Sequence, residues 1–337
     1  MRLSGILLAF WLLPLPCLAG ETPTERAVTL LMQGDFEAAH RHGETLLQSD
    51  PRSLEYLALQ LNTVVTESTW DPEDTSLDGE TERLSRALLD SCEKMLSVHG
   101  EDAGALHACG MGHFSLSYLF ALRGKALASA RRASMAIDAL EQALRIDPDH
   151  ADAGLHLGVL YFYADNLPSF VKAVGRVLWF IPRGKGELAL PLLRRATCCG
   201  ENFSEGARFI LADLLTQSDT DHRHEAVALL RALVADYPGN ARFHYNLLES
   251  LYSLGRYNEV LEAWTVADAS IPDEGTLKRA SLDIWQVRAL IQAGRVEEAD
   301  RVLAQLETRE IEWPAWLGEL LIESSASLQQ RQTLAWR

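Results

Sequence analysis

Apolar residues recur along this chain at a helical spacing that restarts every few tens of residues. In "AIDALEQALRIDPDH", Ala136, Leu140, Ala143 and Pro148 stand at offsets 0, 4, 7 and 12. The same offsets carry Ala226, Leu230, Leu233 and Pro238, then Val260, Trp264, Ala267 and Pro272, and in a weaker copy Ala39, Gly43, Leu46 and Pro51. Residues four and seven apart share one helix face, a small residue there lets a neighbouring helix come close, and proline ends the helix because it has no amide donor. Gly34, Gly255 and Gly294 stand where a tight turn joins two such helices. The pattern predicts helical hairpins, each burying its apolar face by stacking on its neighbours.

On these residues the chain resembles the tetratricopeptide repeat family, over 117–150, 151–198 (expanded), 207–240, 241–274 and 280–310, with 20–52 and 53–100 as degenerate copies. The stretch from Arg123 to Pro168 is similar to a group of exported bacterial repeat proteins in which a glycine- and tyrosine-rich helix precedes a Leu-Pro insertion, a group that implies no particular activity. The resemblance implies an all-α fold, a right-handed superhelical solenoid of antiparallel helix pairs. Its organisation divides into a signal peptide (1–20), degenerate N-terminal repeats (21–100), a solenoid (101–310) with an insertion at 165–185, and a C-terminal capping helix (311–337). The tryptophans of "EWPAWLGE" give that last segment an alternative use as a docking surface. The acidic run 69–81 reads as a surface loop.

The first twenty residues change the picture of where the protein works. Arg2 precedes an apolar run from Ile6 to Leu13, and small residues follow at Ala19 and Gly20, the pattern of a cleaved secretory signal. Periplasmic or secreted localisation is therefore expected. Removing that segment leaves 30 basic against 47 acidic residues, a net charge of −17, and four cysteines. Such a surface repels nucleic-acid phosphates and anionic lipid, so nucleic acid is excluded as a partner class and broad membrane contact is disfavoured.

"NLPSFVKAVGRVLWFIPRG" breaks the repeat. Phe170, Val174, Val177, Leu178 and Ile181 fall at helical spacing, with Lys172 and Arg176 off that stripe, which predicts an inserted helix near 166–182. Three roles compete for it. It packs across the solenoid, it walls a ligand cleft through Trp179 and Phe180 with Lys172 or Arg176 meeting an acidic group, or it touches a membrane surface.

Candidate chemistry is sparse. Cys92 and Cys109 lie about equally far from a turn near Gly100, so an antiparallel hairpin sets them at similar height, as a disulfide or as two buried thiols. Cys198 and Cys199 are adjacent and diverge on a helix. In "HACGMGH" only Cys109 and His113 share a face, too few ligands for zinc from one segment, and no metal or other cofactor is expected. No phosphate-binding glycine loop, H-E-x-x-H or G-x-S-x-G string occurs, and no catalytic residue is assigned.

What remains is a binding surface. In the resembling family the first helix of each pair lines a concave groove, which carries over to Asp152, Leu155, Val159 and Phe162, then Arg242, Tyr245, Glu249 and Tyr252, then Ser281, Ile284, Arg288 and Ile291. This mixture of aromatic, apolar and singly charged side chains suits a protein segment or peptide. The expectation is a non-catalytic scaffold for a partner in the cell envelope. The alternative is an accessory component of a transport system that holds a small apolar ligand in a cleft.

Overall fold

The computed structural model describes residues 21–165, 185–200, 203–217, 220–272 and 276–335. The signal segment and the inserted helix, with Phe170, Lys172, Arg176, Trp179 and Phe180, lie outside the described residues. Those described form fifteen helices and no strand. In chain order they are α1 (Pro23–Met32), α2 (Phe36–Ser49), α3 (Leu54–Ser68), α4 (Asp78–His99), α5 (Ala103–Leu122), α6 (Ala126–Ile146), α7 (Ala151–Asp165) and α8 (Gly186–Cys199). There follow α9 (Ser204–Thr216), α10 (Thr220–Asp236), α11 (Ala241–Ser253), α12 (Tyr257–Ser270), α13 (Leu277–Gln292), α14 (Val296–Glu307) and α15 (Ala315–Ala335).

Local chemistry sets many of these boundaries. Thr22 and Glu25 form a reciprocal capping box on α1, with Pro23 at its first position. Asp35, Ser53, Asp102, Asn240 and Thr276 each accept a first-turn amide of the helix that follows, worth about 1 kcal/mol apiece. Gly34, Gly255 and Gly294 hold the hairpin turns at φ 77°, 71° and 76°, a region where a β-carbon is strained.

The helices pack in two layers. Each odd-numbered helix from α1 to α13 packs on the even one that follows it, and odd helices also pack on odd ones, α1 on α3, α3 on α5, α5 on α7, α9 on α11, α11 on α13 and α13 on α15. The odd helices therefore form an inner row and the even ones an outer row. Burial follows this division. Every residue from Ala151 to Tyr161 on α7 is buried, whereas α6 buries only the stripe Ala136, Ile137, Leu140 and Ala143. Small residues let the rows approach: a β-carbon on Gly158 would lie 2.9 Å from Leu193 Cγ, and one on Gly110 would lie 2.6 Å from Leu140 Cγ.

The inner row curves until its beginning meets its later part. Asn240, the cap of α11, donates from Nδ2 to the Met32 carbonyl at 2.8 Å. Leu31, Met32, Phe36 and Trp70 share one apolar cluster with Phe243, Tyr245, Leu248 and Trp285. A cavity of about 540 Å³ opens at this seam, between Phe36, Trp70 and Asp71 on one side and Asn240, Ile271 and Lys278 on the other. The segment read from sequence as a surface loop is part of the closure. Its helix begins at Asp78, and Trp70 is 9 % exposed because the α11 face covers it.

The last helix, α15, packs on α13 and α14. No described helix is long and apolar enough to cross a membrane.

Candidate functional site

On α11 the helical period places Arg242, Tyr245, Glu249 and Tyr252 along the inner side, and on α13 it places Trp285 and Arg288 beside them. Rings organise this face. Tyr245 meets Trp285 and Trp316 at 5.9 and 5.8 Å between centroids, and Tyr252 meets Trp285 at 5.3 Å. The Arg288 guanidinium lies 5.2 Å from the Tyr252 ring and 5.3 Å from Trp285, and that of Arg242 lies 3.9 Å from Trp70. Stacking of this kind holds a planar cation in a partly dry setting.

The charges are arranged unevenly. Arg242 donates through one terminal nitrogen to the Thr69 carbonyl at 2.8 Å, and Arg288 to Glu323 at 3.1 Å. Their Nε–H groups and the Trp316 indole N–H are buried with no acceptor among the described residues. Burial pushes the Glu249 carboxyl up to about 7, with nearby Asp213 adding to the rise and Arg242 and Arg288 opposing it. Burial also raises Asp213, which accepts from Asn246 Nδ2 at 2.7 Å, and raises the Tyr245 phenol well above its ordinary value. Burial lowers Arg242, whose charge opposes the rise at both carboxyls. The result is an aromatic face with spare donors and a carboxyl that changes charge near neutral pH. Rings, spare donors and a titrating carboxyl on one face suit recognition.

Five of the residues assigned to a groove from sequence are thus brought together: Arg242, Tyr245, Glu249, Tyr252 and Arg288. Tyr245 is itself buried among the rings. Six others require correction, and three of them, Asp152, Ser281 and Ile291, are buried at 3 %, 1 % and 1 % exposure. Leu155 and Val159 on α7 are 1 % and 6 % exposed and belong to an apolar core with Leu57, Leu84 and Leu211, and Ile284 is fully buried with Leu303 and Leu317. Their inner side is covered by neighbouring helices, so they hold the fold and line no open surface. Phe162 is half-buried against the same core. Trp70, Asp213, Trp285 and Trp316 complete the face without having been assigned to it. A tryptophan inside the acidic run 69–74 was the available signal, since a fully solvated loop has no use for an indole.

A second cluster lies at the joint of α5 and α7. His107 Nε2 lies 3.2 Å from His156 Nδ1, which donates to the Asp152 carbonyl at 2.9 Å, and the His150 ring is 4.8 Å from that of His107. Burial lowers both His107 and His156, with the neighbouring imidazoles opposing a charge on His107. Burial and Arg132 hold His113 down at about 4. Among the described residues no group of three His, Cys, Asp or Glu side chains is arranged to hold a metal. Cys109 Sγ is bonded to Cys92 Sγ, with their Cα atoms 5.6 Å apart, which takes that thiolate out of any ligand set. Cys198 and Cys199 are free and exposed.

A comparison with known families agrees with this architecture. A tetratricopeptide repeat model matches residues 122–178 and 207–264. Solved structures similar in fold include a tetratricopeptide repeat protein from Parabacteroides merdae, at 15 % identity and TM-score 0.42 over 90 % of this chain and 97 % of that one. A thermophilic repeat protein of Thermus thermophilus, TTC0263, aligns at 16 % identity and TM-score 0.29, over 80 % of this chain and 97 % of that one. Yeast Tom70 aligns at 11 % identity and TM-score 0.27, over 93 % and 90 %. A search of curated proteins finds no match. The family model thus matches two stretches of these helix pairs, and the inner and outer rows continue the same pairing of helices on either side of them.

Proposed function

We propose that this protein is an exported, non-catalytic scaffold that binds a protein or peptide of the cell envelope on the face formed by α11, α13 and α15. Tetratricopeptide repeats in general mediate protein–protein interaction, and stacked helix pairs supply extended surfaces for it. The observation that carries the reading is the set of buried donors with no acceptor among the described residues, Arg242 Nε, Arg288 Nε and Trp316 Nε1, among the rings of Tyr245, Tyr252 and Trp285. A buried donor left unpaired costs about 1–3 kcal/mol, so an acceptor-bearing partner that reaches it gains affinity. Arginine, tyrosine and tryptophan are also the residues that dominate interface energies. Export is supported by the charged, apolar and small-residue order of residues 1–20.

The test is a photoreactive amino acid placed at Tyr252, which is partly exposed, with irradiation in the native cell. The expected outcome is a discrete protein adduct that disappears in an Arg288→Ala variant. Adducts to small molecules alone, or none, would sink the reading. Mass analysis of the chain from cell fractions tests export, with a mature start near Glu21 in the envelope fraction as the expected result.

A further inference from the structure

The recognition face offers both halves of a hydrogen bond at once. Its spare donors are Arg242 Nε, Arg288 Nε and Trp316 Nε1, each buried with no acceptor among the described residues. Its spare acceptor is Glu249, which takes no hydrogen bond and makes no close ion pair among those residues. Tyr245 ties the two sets into one place. Its ring lies 5.8 Å from that of Trp316 and 5.9 Å from the Arg242 guanidinium, and Glu249 stands one helical turn after it on the same side of α11. Arg288 joins them from α13, 5.3 Å from the Trp285 ring that meets Tyr245 at 5.9 Å.

Charge sorts the groups that such a place can take. An anion would pair with the three donors but is set against Glu249 and against Asp213 on α9, whose oxygens already accept from Asn246 Nδ2 at 2.7 Å and Gln217 Nε2 at 3.3 Å. A cation would pair with Glu249 but is set against Arg242 and Arg288. A purely apolar group leaves both sets unpaired. An uncharged group that accepts and donates together meets neither objection. Among side chains the carboxamide does this most fully, with two acceptor sites on its oxygen and two N–H groups on its nitrogen, where a hydroxyl has a single donor. The carboxamide is also flat, and this face already holds flat groups against its rings, Arg242 on Trp70 and Arg288 on Tyr252.

We infer that the segment docking on this face presents an asparagine or glutamine side chain to it, the carboxamide oxygen accepting from the spare N–H donors and the nitrogen donating to Glu249. The inference rests on the proposal that the face binds a protein, and it names the group by which that protein is read. Selectivity arises by exclusion: exchanging the amide for the isosteric carboxylate brings a second negative charge against Glu249 and removes the donor it needs.

The experiment titrates N-acetyl methylamides of glutamine, glutamate, lysine, serine and leucine into the full, isotope-labelled chain at about pH 8, above the range in which Glu249 takes up its proton. These probes share one backbone and differ only in the side chain. The readout is the indole N–H resonance of Trp316, identified by its loss in Trp316→Phe. The glutamine probe is expected to bind at least about tenfold more tightly than the glutamate and lysine probes, the weight of one hydrogen bond to a charged group. In Glu249→Gln its advantage over glutamate is expected to shrink or reverse, because the charge that excluded glutamate is gone. Equal binding of all the probes, a lead for glutamate, lysine, serine or leucine, or an unmoved Trp316 resonance overturns the inference. So does a glutamine preference that is unchanged in Glu249→Gln. The ranking of probes is read on the parent chain, so a variant that does not fold leaves the test intact. A protein adduct at Tyr252 beside probes that bind alike would leave the scaffold reading standing and remove this one, whereas the lack of any protein adduct strikes the scaffold reading itself.

Discussion

Helices α7 and α11 hold equivalent places, each the first of its pair, with Leu155 and Val159 on one matching Tyr245 and Glu249 on the other. On α7 those positions sink into a core shared with α3, α4 and α9. On α11 the same positions carry a phenol and a carboxyl, surrounded by guanidinium and indole groups. The repeat template fixes which way a side chain points. Whether that direction leads to core or to a recognition face depends on what the neighbouring inner helices bring. α5 and α9 bring leucines toward α7, whereas α13 and α15 bring Trp285, Arg288 and Trp316 toward α11.

That contrast can be broken most forcefully on the apolar side. Leu155→Ala should cost about 2–5 kcal/mol by urea unfolding, because the site is walled by fixed neighbours that cannot collapse into the gap. Reducing the Cys92–Cys109 bond, which closes a loop with a sequence separation of 17, should cost about 3 kcal/mol in the same assay. Either change leaving the unfolding midpoint unmoved would mean that this half is not the stabilising one.

Titration sharpens the comparison, because the two regions respond to pH with opposite sign. Buried His107, His156 and His113 take protons less readily than in the unfolded chain. Their stabilising contribution is present above about pH 6.5 and is lost as pH falls through their folded values. Glu249 is raised to about 7, so its contribution is present below about 4.5 and is lost as pH rises toward 7. Glu249→Gln should then stabilise the protein at pH 8 by about 1–3 kcal/mol and remove that dependence. A variant with the parent's pH profile would show that the carboxyl is not buried in a neighbourhood of like charge. The smallest effect is expected at the open edge, where Tyr252→Ala should change stability by under about 1 kcal/mol while weakening partner capture.

How much of this could be read from the chain follows from the range of each interaction. The helix pairs were legible because offsets of 4, 7 and 12 are local, and Ala189, Leu193 and Ala196 on α8 lie buried where that spacing points. The recognition face was legible only in its α11 and α13 members. The segment carrying Trp70 joins it through an Arg242–Thr69 hydrogen bond that spans 173 residues, and Glu73 reaches Ala315 across 242. Periodicity carries no trace of such distant pairings. Leu155, Val159 and Ile284 were misplaced for a related reason, since a register position says nothing about the depth at which neighbours bury it.

The seam has a further consequence for how the molecule comes apart. In an open array of repeats the terminal units fray first, each held by a single neighbour. Here the first pair is fastened to the sixth through Asn240 and the Met32 carbonyl, so the first pair cannot peel off without breaking two interfaces. Local opening then gives way to a single cooperative event, and amides in α1 and α11 should exchange with solvent at one common rate. A run of modules from the first pair to the sixth has been closed on itself, and that stretch holds or fails as a unit.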